Sequence, residues 1–482
     1  MRMLSIRIWF SHCFLLLIPL LALAETHVGG PESGVWTPDG NPYWVDSTVV
    51  VEPGNSLTIM NGVEIFFTGL DYIEVYGELM VEGVNGDSVF FRSYGTPVWG
   101  GIWFFTGSSP LSTIKFAHIE KPVRGIRAHH SSPKISNCFI IAQSYGVWGY
   151  YSNFLLQDSK ITVDTGEMAG IYLQSSDAQI LGCEIFAGNL EASYTAVGIQ
   201  GFDSDPDVYD SEIHVDNSGL SFGLWLQDVD KGDFRYNLIY VVSKTRSYGM
   251  FLNHSSYPYS INNTIVVKSG SEVDRCIYLY DNSNPWIENC IIYGDGSSQG
   301  LVAEENCRPN VIYNDFYNHN LNQALIGCNA GVGCIFEDPL FANPGNAIFK
   351  LTPNSPCIDA GNPNSPPDPD QTRADMGCYY YDYINAQPIS NLSKPSSFSL
   401  IEAFPNPFNA FTTLQIVLPE SVVGRLAIYN QRGRLVHTIK SGVFPAGPQR
   451  FTWDAASYGS GTYWVVMRAD EHILTHPLIL IK

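Results

Sequence analysis

Apolar and polar residues alternate with a period of two along most of the chain, as in GIYLQ (170–174) and GLWLQ (223–227). No stretch of useful length carries the 3.6-residue period of an amphipathic helix. The pattern predicts many short strands. A phrase of glycine followed by an aliphatic residue recurs at Gly101, Gly125, Gly146, Gly170, Gly198, Gly223, Gly249 and Gly300, with Cys276-Ile277 in the remaining place, at steps of 21 to 28 residues. A second marker follows from Gly125 onward, 12 to 14 residues after each phrase: Asn137, Asp158, Gly182, Asp210, Asn237, Asn263, Asn289 and Asn314. Between the two lie turn residues, often with proline, as in SSP (131–133), SDP (204–206) and SNP (283–285).

Two markers in phase over eight turns, with strands and no helices between them, predict an all-β solenoid of stacked coils, a parallel β-helix. The second marker is read as a bend. Asparagine tolerates a left-handed backbone, and stacked amides can bond from coil to coil. The next residue is small (Cys138, Ser159, Cys183, Ser211, Thr264, Cys290), and these cysteines are read as buried free thiols. Toward the amino end the phrases weaken, yet LTIMNGVEIFF, VYGELMVEG and SVFFRS alternate suitably for the first coils. About eleven coils at ~4.8 Å each give a rod roughly 50 Å long.

Over about Val49 to Phe336 the pattern resembles the right-handed parallel β-helix superfamily, pectate-lyase-like in fold. That superfamily holds lyases, hydrolases, tailspikes and non-catalytic surface proteins, so the resemblance implies a fold and no single activity. The segment DPLFANPGNAIFKLTPNSPCIDAGNPNSPPDPDQTRADMGCYYYD (338–382) resembles the closing segment of secreted bacterial β-helix proteins, for which covering an open strand edge is the expected role. From about Leu400, alternating strands (LQIVL, RLAIYN, RLVHTI, RFTWDA, TYWVVM, LILIK) predict a small β-sandwich. FPNPFNAFTTLQIVLPE, LAIYNQRGRLV, AGPQRFTWDA and SGTYWVVMRA resemble the type A C-terminal sorting domain of the type IX secretion system. This resemblance implies export through that machinery by way of residues 400–482. A related Ig-like module occurs in flagellar hook-capping proteins.

Register then sorts the side chains. One position after each glycine is aliphatic and points inward, so two positions after it should face out. That file reads Trp103, Arg127, Trp148, Tyr172, Gln200, Trp225, Phe251, Tyr278 and Val302; the file two residues further reads Phe105, His129, Tyr150, Gln174, Phe202, Gln227, Asn253, Tyr280 and Glu304. Ten of these eighteen positions are aromatic, where a 13% background gives two or three, which predicts an exposed strip. Aromatic faces stack on sugar rings while amides take hydroxyl hydrogen bonds, so the strip is the candidate ligand face for a polysaccharide or another cell-surface polymer. The competing account is cross-strand stacking, or a strip roofed by a loop.

Composition refines the picture. Arg2 and Arg7, the apolar run Ile8–Leu23 and Ala22-Leu23-Ala24 read as a cleavable export signal, residues 1–24, and no later run is long enough to span a bilayer. The chain is therefore expected to be secreted or held at the outer cell surface. Without the two signal arginines, 24 basic face 47 acidic residues, a formal charge of −23 that argues against nucleic acid. The domain reading is 25–336 rod, 337–384 closing segment, 385–399 linker and 400–482 sandwich. Nine cysteines remain, with Cys357–Cys378 and Cys328–Cys334 as candidate disulfides. No cofactor is expected apart from calcium, for which Asp368, Asp370 and Asp375 are candidate oxygen ligands; acidic turn residues are the plain alternative.

Two further constellations stand out. KFAHIEKPVRGIRAHHSSPK gathers Lys115, Lys121, Arg124, Arg127 and Lys134 around Glu120, a basic patch that could meet carboxylate or sulfate groups, or simply line solvated turns. Asp203, Asp228, His254 and Asp281 fall at one turn position in consecutive coils, where coil spacing would suit a glycosidase carboxylate pair. Asp at a strand end is also the commonest kind of turn residue. The pattern lacks a polygalacturonase-like Gly-His-Gly, an H-E-x-x-H, a G-x-S-x-G and a phosphate-binding glycine loop. The expected function is a secreted or cell-surface rod that binds polysaccharide or another surface polymer along the strip; a polysaccharide lyase or glycoside hydrolase using the same face, and a structural surface protein or adhesin, are the alternatives.

Overall fold

The computed structural model describes residues 25–95, 98–163, 168–188, 194–269, 274–320, 322–381, 399–404, 411–418, 422–431, 434–444, 447–455, 458–469 and 472–481. The predicted export signal and nearly all of the predicted linker lie outside them. Strands begin at Thr26–Pro31, so the coils start well before Val49. Each turn carries three strands. The first face holds the glycine phrase, as in Arg124–His129, Tyr145–Tyr150 and Ala196–Phe202. The second face follows the proline turn, as in Lys134–Ser136 and Asp207–Tyr209, and the third follows the bend, as in Phe139–Ala142 and Glu212–Asn217. Successive turns pair in parallel throughout, the second face as a 12-stranded sheet and the other two as a continuous 24-stranded one. The fold is an all-β parallel solenoid of about eleven turns.

Inside the rod, Ile126, Val147, Ile171, Ile199, Leu224, Met250, Ile277 and Leu301 form one file, partnered turn to turn and fully buried. The glycine phrase has a steric cause. A Cβ on Gly146 would collide with Ile161 Cγ2 and lie 2.7 Å from the carbonyl oxygen of Gly170, and Gly170 and Gly198 meet Ile185 and Ile213 in the same way. A third-face isoleucine packs in this way on six of the eight phrase glycines, from Gly125 to Gly249, while backbone crowds Gly101 and Gly300.

At the bend, Asn137, Asp158, Gly182, Asp210 and Asn289 adopt left-handed φ of 46 to 61°, as the sequence predicts. Three turns depart from that expectation. Tyr236, Asn262 and Tyr313 take the bend, and Asn237, Asn263 and Asn314 sit one residue on, pointing inward. This inward slot must satisfy backbone N–H groups that the bend leaves over. Cys138 N donates to Ser159 Oγ (3.0 Å), Cys183 N to Ser211 Oγ (3.1 Å), Ser211 N to Asn237 Oδ1 (3.0 Å) and Cys290 N to Asn314 Oδ1 (2.8 Å). A serine ladder serves the proline turn likewise, with Ser152 N on Ser176 Oγ and Ser176 N on Ser204 Oγ.

The closing segment does something other than cover a strand edge. It runs back along the third face, where the outward column changes from Lys160, Glu184 and Glu212 to Leu238, Thr264 and Ile291. Phe341, Phe349, Leu351, Cys357 and Met376 bury Leu238, Val266 and Ile291 beneath them. Asn289 is tied in as well: its Oδ1 accepts Asn362 N (2.7 Å) and its Nδ2 donates to Asn262 Oδ1 (3.3 Å). Both candidate disulfides are corrected, because all nine described cysteines are free thiols. Cys357 instead hydrogen-bonds the Asp315 carboxylate (3.3 Å), and Cys378 N donates to Thr264 Oγ1 (3.0 Å).

Beyond the linker, antiparallel strands form a three-stranded sheet (Ser399–Phe404, Phe411–Leu418, Gly447–Asp454) and a four-stranded one (Val422–Asn430, Leu435–Phe444, Gly461–Ala469, His472–Leu480). Leu414, Leu426, Ile428, Trp453, Val465 and Leu478 make their core, an Ig-like domain. Among the described residues no helix is long and apolar enough to cross a membrane.

Candidate ligand face

The predicted outward files stand in register. Trp103 pairs with Arg127, Arg127 with Trp148, Trp148 with Tyr172, Tyr172 with Gln200, Gln200 with Trp225, Trp225 with Phe251 and Phe251 with Tyr278. The second file holds its own order from His129 through Tyr150, Gln174 and Phe202 to Gln227. Most of these side chains are half-buried, because neighbouring rings lie against each other. Phe251 stacks on Tyr278 (centroids 5.4 Å apart, planes at 13°), Trp148 meets Tyr172 edge-on (5.5 Å, 79°), and Phe202 contacts Tyr172 (5.8 Å) and Trp225 (6.1 Å). Phe105 stacks on Tyr76 (4.7 Å) and Tyr150 on His129 (4.9 Å). Val302 and Asn253, which the alternation places outward, are buried.

Residues just before the glycines enlarge the cluster. Phe222 and Tyr248 are buried and stacked (4.9 Å, 9°), with Tyr172, Trp225, Phe251 and Tyr278 packed against their patch. The sequence signal for this flanking file is the aromatic residue one position before the glycine, FG at 222–223 and YG at 248–249, outside the files that follow the glycine. Around the proline turn the aromatic surface continues onto the second face. Tyr280 is 49% exposed, Tyr259 45% and Trp286 37%, and Tyr259 and Trp286 are register partners. Asn282 Nδ2 donates to the Tyr257 hydroxyl (3.0 Å), and Trp286 Nε1 to Glu288 Oε2 (2.7 Å), fixing rings and amides together.

At the amino-terminal end of the strip the Arg127 guanidinium lies between two indoles, 4.8 Å from each of Trp103 and Trp148, and Arg124 lies 4.6 Å over Trp148. Burial, and then repulsion from Arg124, lower the Arg127 pKa. At the other end the Tyr278 hydroxyl donates to Glu304 (2.9 Å), and burial with that acceptor pushes its pKa up to about 12.

Asp203, Asp228, His254 and Asp281 occupy one turn column with left-handed φ of 48 to 54°. Asp203 accepts from Ser175 Oγ (2.9 Å), Asp228 from Gln227 Nε2 (3.3 Å), and His254 Nδ1 lies 3.3 Å from Asp281. Asp228 is thus bonded within its own turn, while Asp203 and Asp281 are partnered from the adjoining coil. Asp368, Asp370 and Asp375 sit in the returning segment with their oxygens on nearby groups: Asp375 N on Asp368, Thr372 on Asp370, Asp359 N and Tyr381 N on Asp375. Among the described residues no three metal-ligating side chains converge. A concavity of about 870 Å³, lined by Asp210, Tyr236 and Tyr379 to Tyr381, lies between this segment and the rod.

Two families match parts of the chain. The right handed beta helix region matches residues 169–341, and the FlgD Ig-like domain matches residues 409–472. The former agrees with the right-handed β-helix expected from the repeat, and the latter with the Ig-like domain. No curated protein matches the chain. Among solved structures, the enzymatically active domain of tailspike protein 2 of bacteriophage CBA120 is similar at 10% identity and a TM-score of 0.24, over 90% of this chain and 72% of that one.

Proposed function

We propose that the protein is an exported or cell-surface rod that binds a polysaccharide along the aromatic strip, with residues 400–482 as a type IX sorting domain. The observation that carries the binding reading is the in-register file from Trp103 to Tyr278, continued by the more exposed Tyr280, Tyr259 and Trp286. A run of rings repeated at the coil spacing presents equivalent stacking positions to a repeating ligand, with Gln174, Gln200 and Gln227 between them to meet hydroxyl groups. Rings that only filled the rod would point inward, as Phe154 and Phe234 do. Asp203 and Asp228 are hydrogen-bonded within their turn column, and the reading proposed is binding, with a lyase or hydrolase on the same face as the alternative.

Purified residues 25–482 are screened against a glycan panel while reducing and unsaturated ends are followed. Retention on one or more polymers with no new ends is expected. New ends would move the reading to a lyase or hydrolase, and absence of binding to every polymer would sink it in favour of a structural rod. For export, loss of surface delivery on deleting 400–482 in a producing cell is expected; unchanged delivery would remove the sorting role.

A further inference from the structure

The five cations that the sequence groups are spread around the rod: Lys115 and Lys134 lie on the second face, Lys121 just after a third-face strand, and only Arg124 and Arg127 on the first face, at the amino-terminal end of the strip. Lys115 is held by Glu82 (3.1 Å), and Glu120, the acid among them, is turned toward Arg92 (3.6 Å). Arg124 and Arg127 have no carboxylate partner among the described residues, and their buried Nε atoms have no hydrogen-bond acceptor. They lie on the same strand, both against Trp148, close enough that the charge of Arg124 disfavours the charged form of Arg127. Two guanidinium groups this close repel one another, and a bound anion would relieve that repulsion. The indoles hold the guanidinium positions while leaving N–H groups unused, the geometry that takes a carboxylate or sulfate through parallel hydrogen bonds.

We propose that Arg124 and Arg127, framed by Trp103 and Trp148, form an anion site that recognises a carboxylate or sulfate substituent on the bound glycan. This rests on the glycan reading of the strip and assigns the polymer to the acidic class. An anion fixed at one end and sugar rings stacked toward Tyr278 would also give the chain a preferred direction along the rod.

The test uses residues 25–482 and matched probes: oligogalacturonate against its methyl ester, and dextran sulfate against dextran. Wild-type protein should bind the charged member of at least one pair more tightly, and raised salt should erase the difference. Arg124→Gln with Arg127→Gln should weaken the charged member about tenfold or more and leave the neutral one within about twofold. Preference confined to one pair identifies carboxylate or sulfate as the source. Arg127→Lys, which keeps the charge and loses the planar fork, should recover only part of the binding and guards against misfolding as the cause. The anion site is overturned if both members of each pair bind equally, or if the double variant binds the charged probe like wild type. Trp225→Ala, remote from the arginines, separates the two readings: if it weakens the charged and neutral probes while the double Gln variant weakens neither, the strip stands and the anion site falls. If wild-type protein binds none of the four, the anion site falls, and the strip reading falls with it only if the whole glycan panel also fails.

Discussion

Asn263 Oδ1 accepts two hydrogen bonds from Asn237, one from its backbone N–H (2.9 Å) and one from its side-chain amide (3.0 Å). Both residues are fully buried, and Asn263 Nδ2 is itself satisfied by the Phe234 carbonyl (2.8 Å) and Ser260 Oγ (3.0 Å). The asparagine is part of the rod's interior wiring. Asn263→Ala would strand two buried donors on Asn237 and free the Phe234 carbonyl. A loss of roughly 2–6 kcal/mol follows from about 1–3 kcal/mol for each of the two stranded donors. Urea denaturation should show the midpoint fall. A change below about 0.5 kcal/mol, the level of an ordinary surface substitution, would mean the ladder is ornamental.

Nine thiols should be countable. Burial pushes Cys138 and Cys378 up to about 12 and Cys183 and Cys290 to about 11, so their thiolates are scarce at neutral pH. Cys328 and Cys334 are only half-buried. Maleimide labelling of native protein should modify these two first and leave the buried seven until denaturant is added. A mass shift of fewer than nine labels in denaturant without reductant would reveal a disulfide and contradict the structure.

The fold was legible where one physical requirement recurs in every coil. The glycines mark the place where a third-face isoleucine packs on backbone, and the aliphatic file after them follows from alternation. The bend markers were legible to within one residue. At 236–237, 262–263 and 313–314 the chain offers a residue for the left-handed position and an asparagine for the inward slot, and the letter Asn serves either. The lateral course of the closing segment left only a weak trace in Leu238, Val266 and Ile291, because outward third-face positions are apolar elsewhere too, at Phe139, Ile141 and Phe186. At the candidate face, sequence supplied the columns. It could not supply the division of the basic patch into paired and unpaired cations, because Glu82 and Arg92 come from other coils.

Stability should fall as pH rises through the weakly acidic range. Burial lifts Asp315 and Asp375 to about 7 and Asp368 to about 6. A carboxyl with a raised native pKa binds more protons folded than unfolded between about 4 and that value, so unfolding free energy decreases across this window and levels off above it. All three lie at or near the returning segment, which should loosen first. Asp315→Asn removes one such titration while keeping an oxygen for Glu337 N (3.1 Å). The denaturation midpoint of wild-type protein should decline from pH 5 to about 7.5, and the variant's should decline less. Parallel curves would show that Asp315 ionises normally.

The returning segment is held mainly by apolar burial. Phe349 packs beneath Phe341 (5.3 Å) and beside Tyr240 (5.6 Å), over a face that would otherwise expose Leu238, Val266 and Ile291. Phe349→Ala should cost about 3–5 kcal/mol. Protease cleavage within 337–381 and dye binding to exposed apolar surface should rise together; a variant as resistant as wild type would show that the segment is anchored by its hydrogen bonds instead.

Ring stacking within the strip and ring stacking on a sugar make opposite demands on exposed positions, which allows them to be separated. Trp225 contacts Phe202, Phe222 and Phe251, so Trp225→Ala should lower both stability and glycan affinity. Tyr280 is half exposed, with the Tyr278 ring 6.4 Å away, and Trp286 stands on the adjoining face. Tyr280→Ala and Trp286→Ala should leave the denaturation midpoint nearly unchanged yet each weaken binding by about 1–2 kcal/mol, five- to thirtyfold in Kd. Affinity electrophoresis beside thermal unfolding reads both quantities on the same samples. Should the two exposed variants bind like wild type while Trp225→Ala only unfolds more easily, the files are a stacking ladder that stiffens the rod, and the polymer, if bound at all, lies elsewhere.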